Sequence, residues 1–310
     1  MSSLAVLWAM DLFLENSLMV QRILVTGASG LLGGYILAEA AQRQLPLTGW
    51  SSQQGTSLFG IDCVPVDLRQ PKAVSLAFAT VQPTHVLHAA ARSSIMDCFQ
   101  HPARAEAVNV AGTHLLAELC QRHGTRLLYV STDLVFDGEH GGYGESDTPH
   151  PLSVYGRTKR QAELAVLQGT RNLVVRVSWL VGPSLSGRPT FFQQMLSALR
   201  TGQPLTLFTD EWRTPLGLPV AARVLLELLE SDLTGLLHLG GSERLSRYDM
   251  GLTLAHYLGM DPGPLRQGIR AEVPAPEPRP RDVSLDSSRW RGHFPQQVWP
   301  GFAETLRLVL

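Results

Sequence analysis

Apolar positions along this chain gather into short runs separated by longer stretches with helical spacing. The first run is Ile23, Leu24 and Val25, closed by Thr26 and Gly27. An apolar run without alternation reads as a strand covered on both faces. After it come Gly27, Gly30 and Gly33, spaced G-x-x-G-x-x-G, and the apolar-rich Leu31 to Ala41, which predicts a helix. The same rhythm continues. Strands are expected at Leu47 to Trp50, Cys63 to Asp67, Val86 to Ala90, Arg126 to Ser131 and Asn172 to Val177, with helices over Pro71 to Thr80 and Ala103 to His123. Alternating strands and helices predict an α/β fold, a doubly wound and mostly parallel sheet built by right-handed crossovers. Beyond Gly182 the pattern gives helices over Phe191 to Gly202, Pro219 to Ser231 and Ser246 to Gly259, with strands at Leu205 to Phe208 and Leu236 to Leu239. The proline-rich Pro274 to Pro280 should be an extended surface loop. Residues 21–182 thus read mainly as one domain and 183–310 mainly as a smaller C-terminal α/β lobe, with segments interleaved between them.

A strand, a glycine turn and a helix opening in that order let bare backbone N–H groups and the positive end of the helix meet a pyrophosphate. That is the NAD(P)-binding Rossmann arrangement, and it makes Gly27, Ser29, Gly30, Leu31, Leu32 and Gly33 candidate cofactor-binding residues. Thr48 to Gln54, at the end of the second strand, holds no acid to grip a ribose 2′-hydroxyl, and no lysine or arginine occurs from Gln44 to Leu68. Ser51 and Ser52 could accept a phosphate. NADPH is therefore the favoured cofactor, with NADH also usable.

Polar groups follow two later strands at the same sheet edge. Ser131, Thr132 and Asp133 come straight after the fifth predicted strand, and Tyr155 and Lys159 lie in VYGRTKRQAEL, a helix opening. A spacing of four puts the phenol and the ammonium on one face. A tyrosine normally titrates near 10, too high for a proton relay at neutral pH, and a nearby cation in a partly desolvated site lowers it. The bland alternative for Tyr155 and Lys159 is a solvated helix face; their occurrence after the glycine turn argues for a site.

Composition narrows the partners. Hydrophobic residues make up 44% and charged residues 17%, and a net charge of −1 supplies no field for nucleic acid or an anionic membrane surface. Cys63, Cys98 and Cys120 have no C-x-x-C pairing, which suits reduced packing residues of a cytoplasmic protein. The ten histidines show no metal-ligand spacing, so no metal is expected. Residues 1–20 lack a basic start and an apolar span; a short amphipathic helix or a disordered extension is the expectation.

Several of these segments together resemble the extended short-chain dehydrogenase/reductases, in particular the dTDP-4-dehydrorhamnose reductase-like branch. They are TGASGLLG at Thr26 to Gly33, HAAA at His88 to Ala91, STDLVFDG at Ser131 to Gly138, YGRTK at Tyr155 to Lys159, RVSWLVG at Arg176 to Gly182, RTP at Arg213 to Pro215, GLLHLGG at Gly235 to Gly241 and RPRDVSLD at Arg279 to Asp286. The resemblance implies an NAD(P)H-dependent reduction of a keto group on a nucleotide-activated sugar. It implies Tyr155 as general acid, Lys159 on the nicotinamide ribose, and Thr132, with Ser131 competing, on the substrate carbonyl. Asp67 and Leu68 would border the adenine, Ala89, Ala90 and Ala91 would run beside the cofactor, and Trp179 would lie near the sugar unless it only packs two lobes together. Arg213 and Arg279, like Arg281, are candidates for the pyrophosphate or simply solvated loop residues. Leu31, His88, Leu134 and Arg213 depart from the branch, whose members carry glutamine, asparagine, often tyrosine and frequently glycine there. Relatives include epimerases and dehydratases that use the cofactor transiently, and a non-catalytic regulatory subunit. A homodimer is the expected assembly.

Overall fold

The computed structural model of the protein describes residues 21–185, 187 and 189–310, so the expectation for residues 1–20 falls outside the described residues. Its largest sheet contains β1 (Ile23–Thr26), β2 (Leu47–Ser51), β3 (Ser57–Leu58), β4 (Ile61–Pro65), β5 (His85–His88), β6 (Arg126–Thr132), β7 (Leu173–Val177) and a final strand, Gly235–Leu239. Across the sheet the order is the final strand, then β7, β6, β5, β1, β2, β4 and β3. Every pair is parallel except β3 with β4. The order reverses at β1, which lies between β5 and β2. In a doubly wound sheet such a reversal opens a crevice beyond the carboxyl ends of the strands.

The unalternating apolar runs are explained by two cores, one on each face. Ile23, Val25, Leu87 and Leu128 point to one side, where helices Leu31–Gln42 and Leu218–Glu230 cover them. Leu24, Val86, Leu127 and Tyr129 point to the other, under Pro71–Val81, Gly112–His123 and Val154–Val166. Each residue is buried whichever way it faces.

Three predicted elements shift. The strand expected at Val86 to Ala90 ends at His88, because the Ala90 amide turns to the Thr26 hydroxyl. The third strand ends at Pro65 instead of Asp67, because Asp67 opens a turn in which it accepts from the Arg69 and Gln70 amides. The long helix expected from Ala103 to His123 is interrupted: helix Pro102–Glu106 passes into a π turn at Ala107–Ala111 before Gly112–His123 begins. Asn109, a poor helix former, sits in that turn and bonds outside the helix.

Beyond β7 the chain divides its work. Helices Phe191–Thr201, Arg247–Leu258 and Phe302–Val309 build a separate core with the parallel ribbon Leu205–Phe208 and Leu265–Gly268. Residues 218–239, lying between these parts, return to the large sheet. Arg126 fixes that return: its buried guanidinium donates to the carbonyls of Leu228, Leu229 and Leu233, at the C-terminal end of Leu218–Glu230, and of Arg171. Among the described residues no helix is long and apolar enough to cross a membrane.

Candidate active site

One cleft of about 1180 Å³ opens along the carboxyl edge of the sheet, from the glycine loop to the C-terminal lobe. With the exception of Arg281, the residues singled out above as catalytic, cofactor-binding or substrate-binding line it, from Gly27 to Arg279. Their surroundings differ, and the differences sort them.

The glycines divide by task. Gly27 has φ +72°, and a side chain there would meet Ala90 Cα at 2.6 Å; one at Gly33 would meet Gly27 O at 2.0 Å. Both therefore let helix, loop and β5 pack against each other. Gly30 would meet only Gly27 O, at 3.0 Å. It caps helix Leu31–Gln42 without a side-chain bond, leaving the first helical amides for whatever occupies the cleft. These unpaired amides fit a pyrophosphate.

Beneath the Ala89–Ala91 segment runs a hydrogen-bond chain whose direction follows from counting donors. Thr113 spends its proton on Asn109 O (2.7 Å), so His88 Nε2 must donate to Thr113 Oγ1 (2.9 Å) and His88 Nδ1 must accept from Thr26 Oγ1 (2.6 Å). Thr26 Oγ1 in turn accepts the Ala90 amide at 3.3 Å. His88 is fully buried, and burial followed by the Lys159 charge drops its pKa to about 3. It is a neutral brace. Asn109 clamps the same segment by accepting the Arg92 amide and donating to the Arg92 carbonyl and to Thr158 Oγ1. Neither role was legible as spacing, although an asparagine within a helical run was a signal.

Helix Val154–Val166, capped by Ser153 on the Gly156 amide, presents Tyr155, Lys159 and Glu163 on one face. Lys159 Nζ donates to Val130 O at 2.7 Å and lies 4.0 Å above the Tyr129 ring. Burial lowers its pKa to about 7, against which Glu163 pulls upward. The expected lowering of Tyr155 by this ammonium is not realised here. Burial and the Asp133 charge raise the phenol well above its ordinary value, and only the neighbouring Thr132 hydroxyl opposes them. The reason is geometric: the ammonium is turned to a carbonyl and a ring face.

Ser131 and Thr132 part company. Ser131 Oγ donates to Glu163 Oε1 at 2.6 Å, joining a buried cluster in which Arg176 holds both Glu163 oxygens at 2.8 Å. Burial raises Glu163, but these bonds from Arg176 and Ser131 bring it below the usual carboxylate range. Thr132 differs in its surroundings: its hydroxyl stays beside Tyr155 and donates to Asp133 Oδ1 at 3.1 Å.

Three further expectations change. Ser51 is buried, and its hydroxyl is shared between Ser29 Oγ (2.8 Å), Thr56 Oγ1 and the Gln53 amide, so it braces the glycine loop and has little left for a phosphate. A cation does border that end of the cleft, one residue past Leu68: Arg69, forked onto Asp67 at 2.6–3.0 Å. Arg213 is neither solvated nor free for a pyrophosphate. It is buried, donating to Glu211 Oε1 (2.9 Å) and Trp212 O (2.8 Å), with Asp133 Oδ2 3.6 Å away. Arg279 does face the cleft, over the Phe208 ring at 5.0 Å, whereas Arg281 lies over Trp212 outside it. Trp179 lines the cleft and packs on Phe191 at 5.2 Å.

Residues 21–309 match the profile of the family described as RmlD substrate binding domain. The chain belongs to that family. The RmlD-family chain is 32% identical to dTDP-4-dehydrorhamnose reductase of Streptomyces griseus over 289 residues, 90% of each protein. It is also 30% identical to methionine adenosyltransferase 2 subunit beta of Bos taurus over 277 residues, 87% of this chain and 81% of the other. Among solved structures, dTDP-4-dehydrorhamnose reductase from Bacillus anthracis in complex with NADP superposes with a TM-score of 0.83 at 22% identity, covering 94% of this chain and 99% of that one. The RmlD-family architecture thus includes both the large sheet and the smaller lobe.

Proposed function

We propose that this RmlD-family protein is an NADPH-preferring reductase of a keto group on a nucleotide-activated sugar, with NADH also accepted. The observation that carries the reading is the convergence, in one cleft, of the amides opening Leu31–Gln42, the pair Thr132 and Tyr155, and a far end lined by aromatic rings and arginines. A bound reduced nicotinamide would supply the hydride. Tyr155 would give the proton to the carbonyl oxygen, and Thr132 would hold that oxygen by a hydrogen bond. Lys159 would hold the ribose and bring its charge toward the phenol. Asp67, Leu68 and Ala89 to Ala91 would flank the cofactor, while Trp179 and Arg279 would meet the sugar nucleotide. Arg69 supports the NADPH preference, since a guanidinium in the turn after β4, bordering the cofactor end of the cleft, suits a 2′-phosphate. A homodimer in the cytoplasm completes the reading; three free, buried cysteines are consistent with a reducing compartment.

The similarity to methionine adenosyltransferase 2 subunit beta favours a second reading, a dinucleotide-binding regulatory subunit. One assay separates the two. Incubation with NADPH and dTDP-4-keto-6-deoxyhexoses should consume NADPH stoichiometrically with the sugar reduced. Cofactor binding without consumption across such a panel would leave the regulatory reading standing, and substrate conversion without net consumption would indicate an epimerase or dehydratase.

A further inference from the structure

Beyond Asp133 the cleft wall carries a second carboxylate that sequence reasoning did not single out. Glu211 is 2% exposed and lines the cleft. Its Oε1 accepts from Arg213 Nη2 at 2.9 Å and from Arg247 Nη2 at 3.0 Å. Among the described residues, Glu211 Oε2 and Arg247 Nε have no hydrogen-bond partner, although both are shielded from bulk water. An acceptor and a donor thus stand unsatisfied on two side chains already bonded to each other, an arrangement that costs free energy until something supplies both bonds.

The surroundings limit what can supply them. Arg247 rests against three rings, its guanidinium carbon 4.7 Å from the centre of Trp179, 4.9 Å from Phe191 and 5.8 Å from Phe208. Its side chain is 27% exposed, so the pair reaches the cleft surface. A phosphate could accept from Nε but would be repelled by the carboxylate, and an ammonium would satisfy the carboxylate alone. A hydroxyl donates once and accepts, so a single one answers both atoms. Aromatic faces beside it suit the C–H face of a pyranose.

Position then says where on the substrate. Arg213 joins Glu211 to Asp133, whose oxygens also accept from Thr132 and Ser178, and Thr132 stands beside Tyr155. The pair therefore belongs to the stretch of cleft wall linked through Arg213 and Asp133 to Thr132, where the reading given above puts the sugar. Resting on the reading of the cleft given above, we infer that Glu211 and Arg247 read one ring hydroxyl, at C-2 or C-3, of the nucleotide-activated sugar. Both atoms are shielded, so binding requires the partly exposed Arg247 side chain to swing aside over the rings.

The test is calorimetric titration of the NADP-loaded protein with dTDP-rhamnose and its 2-deoxy and 3-deoxy derivatives. One deoxy derivative should bind the native protein about tenfold or more weakly than the parent. In Glu211→Gln and Arg247→Met that penalty should shrink to about threefold or less. Either variant alone decides, should the other fail to fold. Equal binding of all three sugars by the native protein, an undiminished penalty in both variants, or no binding of dTDP-rhamnose overturns the inference. NADPH consumption is measured separately: a hydroxyl penalty without turnover would sink the reductase reading and leave the pair standing, and turnover without a penalty would do the reverse.

Discussion

The two ends of the cleft are made of different material. At the glycine loop the lining is largely backbone: amides opening a helix, glycines that admit a close approach, and the Ala89–Ala91 segment held by Thr26 and Asn109. At the C-terminal end it is a set of largely shielded ionic side chains, Asp133, Arg213, Glu211 and Arg247, partnered with one another across three chain segments. Backbone geometry is specified by local spacing. A charge network is specified by tertiary neighbours, so the first end tolerates exchange of its side chains better than the second.

The largest effect is expected where the two ends meet. Tyr155→Phe keeps the ring and its packing, so cofactor affinity should persist while turnover falls by about 10²–10⁴. Near-normal reduction by this variant would remove the phenol from the chemistry. Lys159→Met should weaken the dinucleotide as well and, by removing the charge that a bound ribose would draw toward the phenol, displace the residual pH profile upward, which steady-state rates across pH would reveal.

A substitution in the ionic material beneath the site comes next. Arg176→Met strips Glu163 of its forked partner and leaves a buried carboxylate with Ser131 and Arg160 alone. Stability should fall by about 3–5 kcal/mol, read by denaturant unfolding. A loss under about 1 kcal/mol would mean that the cluster is better hydrated than its burial implies.

How far the sequence was legible follows the same division. The strand at Ile23, the glycine spacing and the placing of Tyr155 and Lys159 one turn apart on a helix are periodic or local features, and each stands where its pattern placed it. Ser131 and Thr132 are adjacent and chemically alike; what separates their hydrogen-bond partners is the position of Glu163, 32 residues from Ser131. Arg213 reads from sequence as a cleft arginine or a solvated one, and its pairing with Glu211, two residues off, is hidden because nothing in sequence shows that both turn inward. The break at Asn109 was hidden by an apolar pattern that suits one long helix.

Acid should distinguish the ends more gently. His88 and His238 are buried with pKa values pushed by burial to about 3 and about 4. Both are depressed below 6.5, so the unfolded chain takes up protons first as pH falls, and the stability they confer above that point is progressively lost. For His88 the loss is about 2 kcal/mol by pH 5. His88→Asn should remove that portion of the acid sensitivity; denaturation curves at pH 7 and pH 5 that lose equal stability in variant and native protein would contradict it.

The smallest effect concerns an exposed charge. Arg69→Ala should weaken NADPH by about tenfold and NADH little, as measured by the two KM values. An equal change in both would place the guanidinium away from the 2′-phosphate.

The return of Gly235–Leu239 to β7 bears on how the molecule can be made. A ribosome that has released only the first 182 residues has emitted the glycine loop, Tyr155 and Lys159, yet β7 is then a bare sheet edge of five apolar or buried residues. Arg126 would also stand without the carbonyls of Leu228, Leu229 and Leu233. Expression of that fragment should give aggregates, and the cofactor half should acquire protease resistance during synthesis only after Leu239 has left the exit tunnel.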